Sequence, residues 1–140
     1  MRTFTLIMGI VFLAVGLLGF VPALVSDPPP GHDLMVEHSH GLLLGLFPVN
    51  VLHNLVHILF GVWGIAAKRS DAASRGYLRT VAIAYAVLAV AGFIPGLDTM
   101  FGLVPLHGDD IWLHALLAVA AGYFGFVHRT APGGGMARTY

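Results

Sequence analysis

The sequence contains no cysteine and few charged residues. The first absence excludes disulfides, thiolate metal sites and cysteine nucleophiles. Charged residues make up 10% of the 140 residues, whereas a soluble domain has about 25%. The chain also has no run of basic residues that would indicate nucleic-acid binding. Apolar residues make up 57% of the chain, and its mean hydropathy is +0.84. The composition therefore predicts an integral membrane protein whose main partner is the lipid bilayer.

Four apolar segments predict an all-α membrane protein with four spans. Their expected bounds are residues 3–25, 49–67, 80–94 and 111–127. The first segment is longer than the apolar part of a usual signal peptide, so we expect it to be retained as a helix. We predict a single transmembrane domain over residues 1–129 and a flexible tail over residues 130–140.

The connections between the spans differ in composition. Residues 26–41 form a predicted outer loop, because three successive prolines cannot continue a helix. An apolar, glycine-containing segment, residues 41–48, is expected to return the chain to the membrane. Residues 68–79 are interpreted as a short linker, and residues 96–110 as a second outer loop.

Charge predicts the orientation of the chain. The basic residues at Arg2, in the 68–79 linker, at Arg129 and at Arg138 fall on one side of a four-span arrangement. All but one of the acidic residues fall on the other side: Asp27, Asp33, Glu37, Asp98, Asp109 and Asp110. Only Asp71 breaks this separation. The positive-inside rule then places both termini in the cytoplasm and both long loops outside.

The two halves of the chain resemble each other. The first half reads GFVPAL and then GLFPVNVLH, and the second reads GFIPGL and then GLVPLHGDDIWLH. These motifs predict two parallel helical-hairpin repeats, about residues 3–68 and 76–129, packed as a four-helix transmembrane bundle. The repeat makes His53 and His114 equivalent, and we expect them to approach within about 10 Å, near enough for shared coordination.

Histidines form the candidate metal site. His53 and His57 are four residues apart, so they share one face of a helix. Together with His114 they make a possible three-ligand set for copper, zinc or iron. Weaker candidates lie in the outer loop: Glu37, His38 and His40, with His32 and Asp33 in the same run. Non-covalent haem is an alternative cofactor, because the chain has no C-x-x-C-H motif.

The same polar residues have a structural interpretation. A buried histidine can hydrogen-bond a neighbouring helix, which contributes about 0.6 kcal/mol on average in a membrane bundle. Asn50 and Asn54 are expected to join such a network. Asp109 and Asp110 are interpreted as cap and dipole partners of the fourth helix. Asn54 stands where an H-E-x-x-H protease has its glutamate, so we assign no catalytic residue.

The motifs PVNVLHNLVH and D-x-W-L-H resemble those of a family of small bacterial membrane proteins, known as domain of unknown function four-three-eight-three. The similarity runs from about residue 8 to residue 127. The family commonly has Gly-Asn-Asp where this chain has Gly108, Asp109 and Asp110. The resemblance implies four spans in a bacterial inner membrane and implies no activity.

Three functions remain open on the sequence. The leading hypothesis is a structural or accessory inner-membrane protein, acting within a homo-oligomer or a larger membrane complex. The second hypothesis is a metal- or haem-binding protein in metal handling or electron transfer. The third is a subunit of an oligomeric transporter or channel. No enzyme is predicted.

Overall fold

Four α-helices make up most of the chain. The computed structural model describes residues 1–28, 30–31 and 34–128. The helices are α1 (Arg2–Leu18), α2 (Val51–Ala67), α3 (Asp71–Ala91) and α4 (Asp109–Gly122), and a π-helical turn, Tyr123–Val127, extends α4. The predicted helical class with four helices is confirmed. His32, Asp33 and residues 129–140, which include the predicted tail, lie outside the described residues.

The helices pair as two hairpins, α1 with α2 and α3 with α4. Glycines let the first pair approach closely. A Cβ atom on Gly9 would lie 2.6 Å from the backbone nitrogen of Ile65, and one on Gly16 would lie 2.6 Å from the Asn54 carbonyl oxygen. Such backbone contact without intervening side chains is typical of helices that pack through small residues.

Equivalent positions of the two hairpins make equivalent contacts. Arg2 and Arg75 stand at the same distance before the glycine of their G-F-x-P motifs. Arg2 Nε donates to the carbonyl of Lys68 at 2.6 Å, and Arg75 Nη1 donates to that of His128 at 3.4 Å. In both hairpins an arginine on the first helix therefore satisfies a carbonyl just beyond the second helix, where such groups lack partners.

The hairpins meet at an aromatic contact. Phe12 on α1 and Tyr85 on α3 occupy equivalent repeat positions, and their rings stack at 5.2 Å. Both side chains belong to the buried core, whose main members also include Met8, Tyr77, Leu78, Val81 and Ala121. Contact between equivalent residues is what a pseudo-two-fold axis between the hairpins requires.

The helix bounds differ from the predicted ones at two places. The 68–79 linker prediction is wrong, because α3 already begins at Asp71. Ser70 caps it by accepting a hydrogen bond from the Ala73 backbone nitrogen at 3.1 Å, and Asp71 favours the helix dipole. The first helix ends at Leu18 rather than near residue 25, and a 3₁₀ turn, Pro22–Leu24, follows it.

A small antiparallel sheet replaces part of the predicted outer loop and the 41–48 segment. Its strands are β1 (Val25–Ser26), β2 (Gly41–Leu43) and β3 (Phe47–Val49), in that order across the sheet. Strands of two or three residues leave no period-two pattern, and Val25 pairs with the distant Leu43. The sheet positions the site, because β3 ends one residue before Asn50, the N-cap of α2.

One helix among those described is long and apolar enough to cross a membrane: Asp109–Val127, which combines α4 with its π-helical turn. Helices α1 and α2 are apolar but shorter, at 17 residues each. At about 1.5 Å per residue they are about 25 Å long, against about 30 Å for the hydrocarbon core of a bilayer. The four-span arrangement therefore stays a prediction.

Candidate functional site

Three histidines and one aspartate converge between the hairpins. His53 and His57 come from α2, and Asp110 and His114 come from α4. Each is at most 4% exposed. The rings of His53 and His57 stack at 4.5 Å, and those of His53 and His114 lie 6.2 Å apart, inside the expected 10 Å. We call these four residues the histidine cluster.

Asn50 fixes the α2 side of the cluster. Its side-chain oxygen accepts a hydrogen bond from the His53 backbone nitrogen at 3.0 Å, which caps α2. Its amide nitrogen donates to the carbonyls of Val36 at 3.0 Å and Leu103 at 2.7 Å. These two acceptors belong to the two predicted outer loops. Asn50 therefore joins both loops to the start of α2.

An extra helical turn places the aspartate. Gly108, with φ of 69°, is the N-cap of α4 and makes no side-chain cap hydrogen bond, so the cap role predicted for Asp109 and Asp110 is wrong. Both lie instead in the first turn, where they favour the helix dipole. Asp109 is exposed, whereas Asp110 is buried one turn before His114. Asp110 Oδ2 lies 3.4 Å from His114 Nε2.

The geometry of the cluster suits a metal ion. His53, Asp110 and His114 each offer one ligand atom, and these three atoms lie within 4.8 Å of one another. Two histidines and one carboxylate, with coordination positions left open, are the protein ligands of many non-haem iron and catalytic zinc sites. Within the described part of the chain this is the one group of three or more such side chains that converges.

Several buried atoms of the cluster lack hydrogen-bond partners among the described residues. They are Nδ1 of His53, Nδ1 of His114 and Oδ2 of Asp110. An unsatisfied buried polar group costs about 1–3 kcal/mol. Nδ1 of both histidines is therefore costly to bury, and Asp110 Oδ2 has Nε2 of His114 beside it at 3.4 Å. Both amide atoms of Asn54 also lack partners there, so its predicted hydrogen bonds are not seen.

His57 lies outside the converging group, although the sequence suggested it as a ligand. Its Nδ1 is 3.1 Å from the carbonyl oxygen of His53. A carbonyl only accepts hydrogen bonds, so Nδ1 carries the proton and Nε2 keeps its lone pair. The ring also packs against Phe12, 5.5 Å away. Asp110 takes the place in the converging group that the sequence analysis had given to His57.

The outer-loop candidates do not reach the cluster. Glu37 and His38 are exposed, and His40 is half-buried. None of the three joins a converging group of ligands within residues 34–128. The structure thus separates the weaker candidates from the buried ones.

Two cavities flank the histidine cluster. The first, of about 150 Å³, lies between α2 and α3 and is lined in part by His53, His57 and His114. The second, of about 210 Å³, lies between α1 and α4 and is lined in part by His53, His57 and Asp110.

Tyr85 is a residue of the site that the sequence analysis missed. Its ring meets that of His114 edge-on at 4.9 Å and is 1% exposed. The repeat aligns Tyr85 with Phe12, and the rings of these two residues stack at 5.2 Å between the hairpins. Asp110 was likewise assigned to the helix terminus rather than to the cluster.

The family model described as "Domain of unknown function (DUF4383)" matches residues 2–127. Searches of curated proteins and of solved structures give no significant match.

Proposed function

We propose that this chain, which belongs to the family described as a domain of unknown function (DUF4383), is a small inner-membrane protein that binds one transition-metal ion. The ligands are His53, Asp110 and His114. The observation that supports this function is the convergence of three ligand atoms, one each from His53, Asp110 and His114, within 4.8 Å of one another in the buried interior. A bound cation would offset part of the cost of burying these polar side chains.

The two imidazoles and one carboxylate limit which metal ions the site would prefer. Imidazole suits zinc, copper and iron, and a carboxylate beside two histidines favours Fe²⁺ or Zn²⁺ over Cu⁺. Three protein ligands leave at least one position open, as in sites that act on a bound molecule rather than purely structural ones. The role is therefore metal handling or metal-dependent chemistry, and a single ion is favoured over haem because three ligand atoms lie within 4.8 Å of one another.

The exposed surfaces of the helices support a membrane location. Large apolar side chains point outward from all four helices; examples are Ile10, Leu59, Ile83, Val87, Leu116 and Val119. Leu59 is 68% exposed and Val119 is 72% exposed. Extended apolar surfaces of this kind are covered by lipid or by a partner protein. The outward faces, the four apolar segments and the charge separation together support four spans with both termini in the cytoplasm.

Elemental analysis of detergent-purified protein tests the metal site. We expect about one iron or zinc per chain in the wild type, and loss of this metal in Asp110→Asn, which keeps the shape of the side chain but weakens its oxygen donors. His57→Ala is the matched control and should keep the metal, because His57 lies outside the ligand group. Wild-type protein that takes up no metal after incubation with Fe²⁺ or Zn²⁺ would refute the proposal and favour a structural or accessory role.

A reporter fusion tests the orientation separately. A reporter that is active only in the cytoplasm, fused after Tyr140, should be active, because both termini are proposed to face the cytoplasm. Activity only of an externally active reporter would refute this topology without affecting the metal site. Assembly into a homo-oligomer or larger complex, and a transporter or channel role, stay predictions.

A further inference from the structure

We propose that the cavity between α2 and α3, called the α2–α3 cavity below, binds a small uncharged apolar molecule that enters from the hydrocarbon phase. The molecule would be no larger than about one six-membered ring, the size that a cavity of this volume holds. Its place beside the histidine cluster would bring it next to the metal; this consequence, unlike the cavity itself, rests on the proposed function.

The walls of the α2–α3 cavity set the chemistry of the ligand. Aliphatic side chains and Met100 form most of them: Val56, Leu88, Met100, Val104 and Leu106. The rings of His53, His57, His114 and Tyr85 complete the lining, and the surface they present is almost entirely apolar. An engineered apolar cavity of about 150 Å³ in another protein stays dry and binds benzene or xenon. The present cavity has the same volume, about 150 Å³.

The position of the cavity indicates the route of entry. Val56 lines the cavity and is 40% exposed, so it lies at the edge between the cavity and the outer surface. Leu59 on α2 and Val87 on α3 are exposed apolar residues on the same two helices. In the proposed membrane orientation these side chains face lipid. A charged molecule would have to leave water to pass them, whereas an apolar one already dissolves there.

A strained loop completes the cavity wall. Met100 and Phe101 have φ of 46° and 58°, the left-handed region that residues other than glycine rarely adopt. Hydrogen bonds hold this turn: the Phe101 nitrogen donates to the Gly96 carbonyl at 2.9 Å, and the Gly102 nitrogen donates to Thr99 Oγ1 at 3.1 Å. Backbone strain costs about 1–3 kcal/mol per residue and clusters at ligand sites. Here it places Met100 against the cavity.

The second cavity is a poorer site for such a molecule. It is larger, at about 210 Å³, but Asp110 lines it. A buried carboxylate favours a polar or charged neighbour over an apolar one. The two cavities therefore make a matched pair for an experiment, since Val104 lines the α2–α3 cavity but not the second one, and Val15 lines the second one but not the first.

Methyl NMR of protein carrying ¹³C-methyl methionine provides the test. The measurement uses metal-free protein in detergent, benzene as the probe, and a Met100→Leu spectrum to assign the Met100 signal. We expect benzene to shift the Met100 signal saturably while the signal of Met8, a buried core residue, stays in place. Val104→Phe should abolish the Met100 shift, and Val15→Phe, which fills the second cavity, should preserve it.

The outcomes separate this inference from the metal site. Absence of a saturable Met100 shift in the wild type, or its persistence in Val104→Phe with an unchanged Met8 signal, would overturn the inference. Should Val104→Phe fail to fold, Val56→Phe at the half-exposed edge replaces it with the same expectation. Adding Co²⁺ to the protein should then give the Met100 methyl signal a paramagnetic shift if the metal site lies beside the cavity. If the protein binds no metal, the Co²⁺ shift is absent, and the shift caused by benzene remains.

Discussion

The two hairpins share a frame but differ in their polar side chains. Both have a histidine at the equivalent position, His53 or His114, and both use an arginine beside the end of their second helix. Only the first hairpin has His57, where Ala118 stands in the second. Only the second has Asp110, on the extra turn before its histidine. In the proposed metal site, the symmetric part supplies two of the ligands, and the asymmetric Asp110 supplies the third.

This difference suggests how a bundle of two similar hairpins could acquire a metal site. Perfect symmetry would place two histidines across the axis, which is too few donors for most structural or catalytic metal ions. The four additional residues between Pro105 and His114 lengthen α4 at its start and bring a carboxylate to the pair. Helix α2 lacks this extra turn, because its N-cap, Asn50, lies only three residues before His53.

The largest expected effect is on metal affinity, when either of the equivalent histidines His53 and His114 is replaced. His53→Ala and His114→Ala should each weaken metal binding by more than about 100-fold, because losing only a group that hydrogen-bonds a ligating side chain already costs about 10–100-fold. Isothermal titration of metal-free protein with Zn²⁺ measures the loss. The equivalence of the two residues predicts losses of similar size. A strong loss in one variant with normal affinity in the other would contradict the shared site.

A second effect is reversible and acts on both histidines at once. Imidazole binds metal only when neutral. Lowering the pH from about 7 to about 3 should therefore release the metal as protons compete for both nitrogens, and raising the pH should restore it. Metal content after dialysis at each pH gives the measurement. Unchanged occupancy at about pH 3 would argue against histidine ligands.

The two asparagines of the first hairpin should differ in their effect on stability. Asn50→Ala removes the cap of α2 and two loop hydrogen bonds, so we expect a loss of about 2–4 kcal/mol. Asn54→Ala removes an amide whose atoms lack partners among the described residues, so its loss should be clearly smaller. Thermal unfolding in detergent compares the two variants. Equal destabilisation would show that Asn54 has a hydrogen-bond partner.

Equivalent glycines test the packing of the hairpins. Gly61 follows His53 by eight residues, and Gly122 follows His114 by the same number. A Cβ on Gly61 would lie 2.5 Å from the Leu13 nitrogen, whereas one on Gly122 would lie 3.7 Å from Ala82 Cβ. Gly61→Ala should therefore cost about 1–3 kcal/mol, and Gly122→Ala should be neutral or gain about 0.5–1 kcal/mol. The same unfolding measurement decides, and a reversed order would contradict the close approach of α1 and α2.

The smallest effect is expected for His57. His57→Ala removes one hydrogen bond to the His53 carbonyl and the contact with Phe12. Its cost should be about 1–2 kcal/mol of stability, with metal affinity changed less than about tenfold. Comparison with His114→Ala in the same metal titration gives the result. A loss as large as that of His114→Ala would place His57 among the ligands.

Much of the fold was readable because its signals are local. The apolar segments marked four helices, and the G-F-x-P and G-L-x-P motifs marked the repeat that pairs His53 with His114. The start of α3 was missed because Arg75 and Arg79 suggested a linker. Both in fact donate to carbonyls beyond α4, Arg79 Nε reaching Gly125 at 2.9 Å. That role depends on a helix 46 residues away, which no local pattern reveals.

The site was predicted only in part for a similar reason. The repeat in the sequence was sufficient to predict that His53 and His114 lie close together. The third ligand depends on where α4 begins, and the left-handed Gly108 sets that start one turn before the position suggested by α2. With Asp110 in the first helical turn, its side chain faces inward beside His114 rather than capping the helix.

The hydrogen bonds of Asn50 have a consequence for folding cooperativity. One side chain joins the loop at Val36, the loop at Leu103 and the first turn of α2. Opening either loop breaks a bond to the residue that caps the helix, so the outer rim should unfold as one unit rather than loop by loop. Backbone amides of both loops and of the first turn of α2 would then exchange their hydrogens at a common rate.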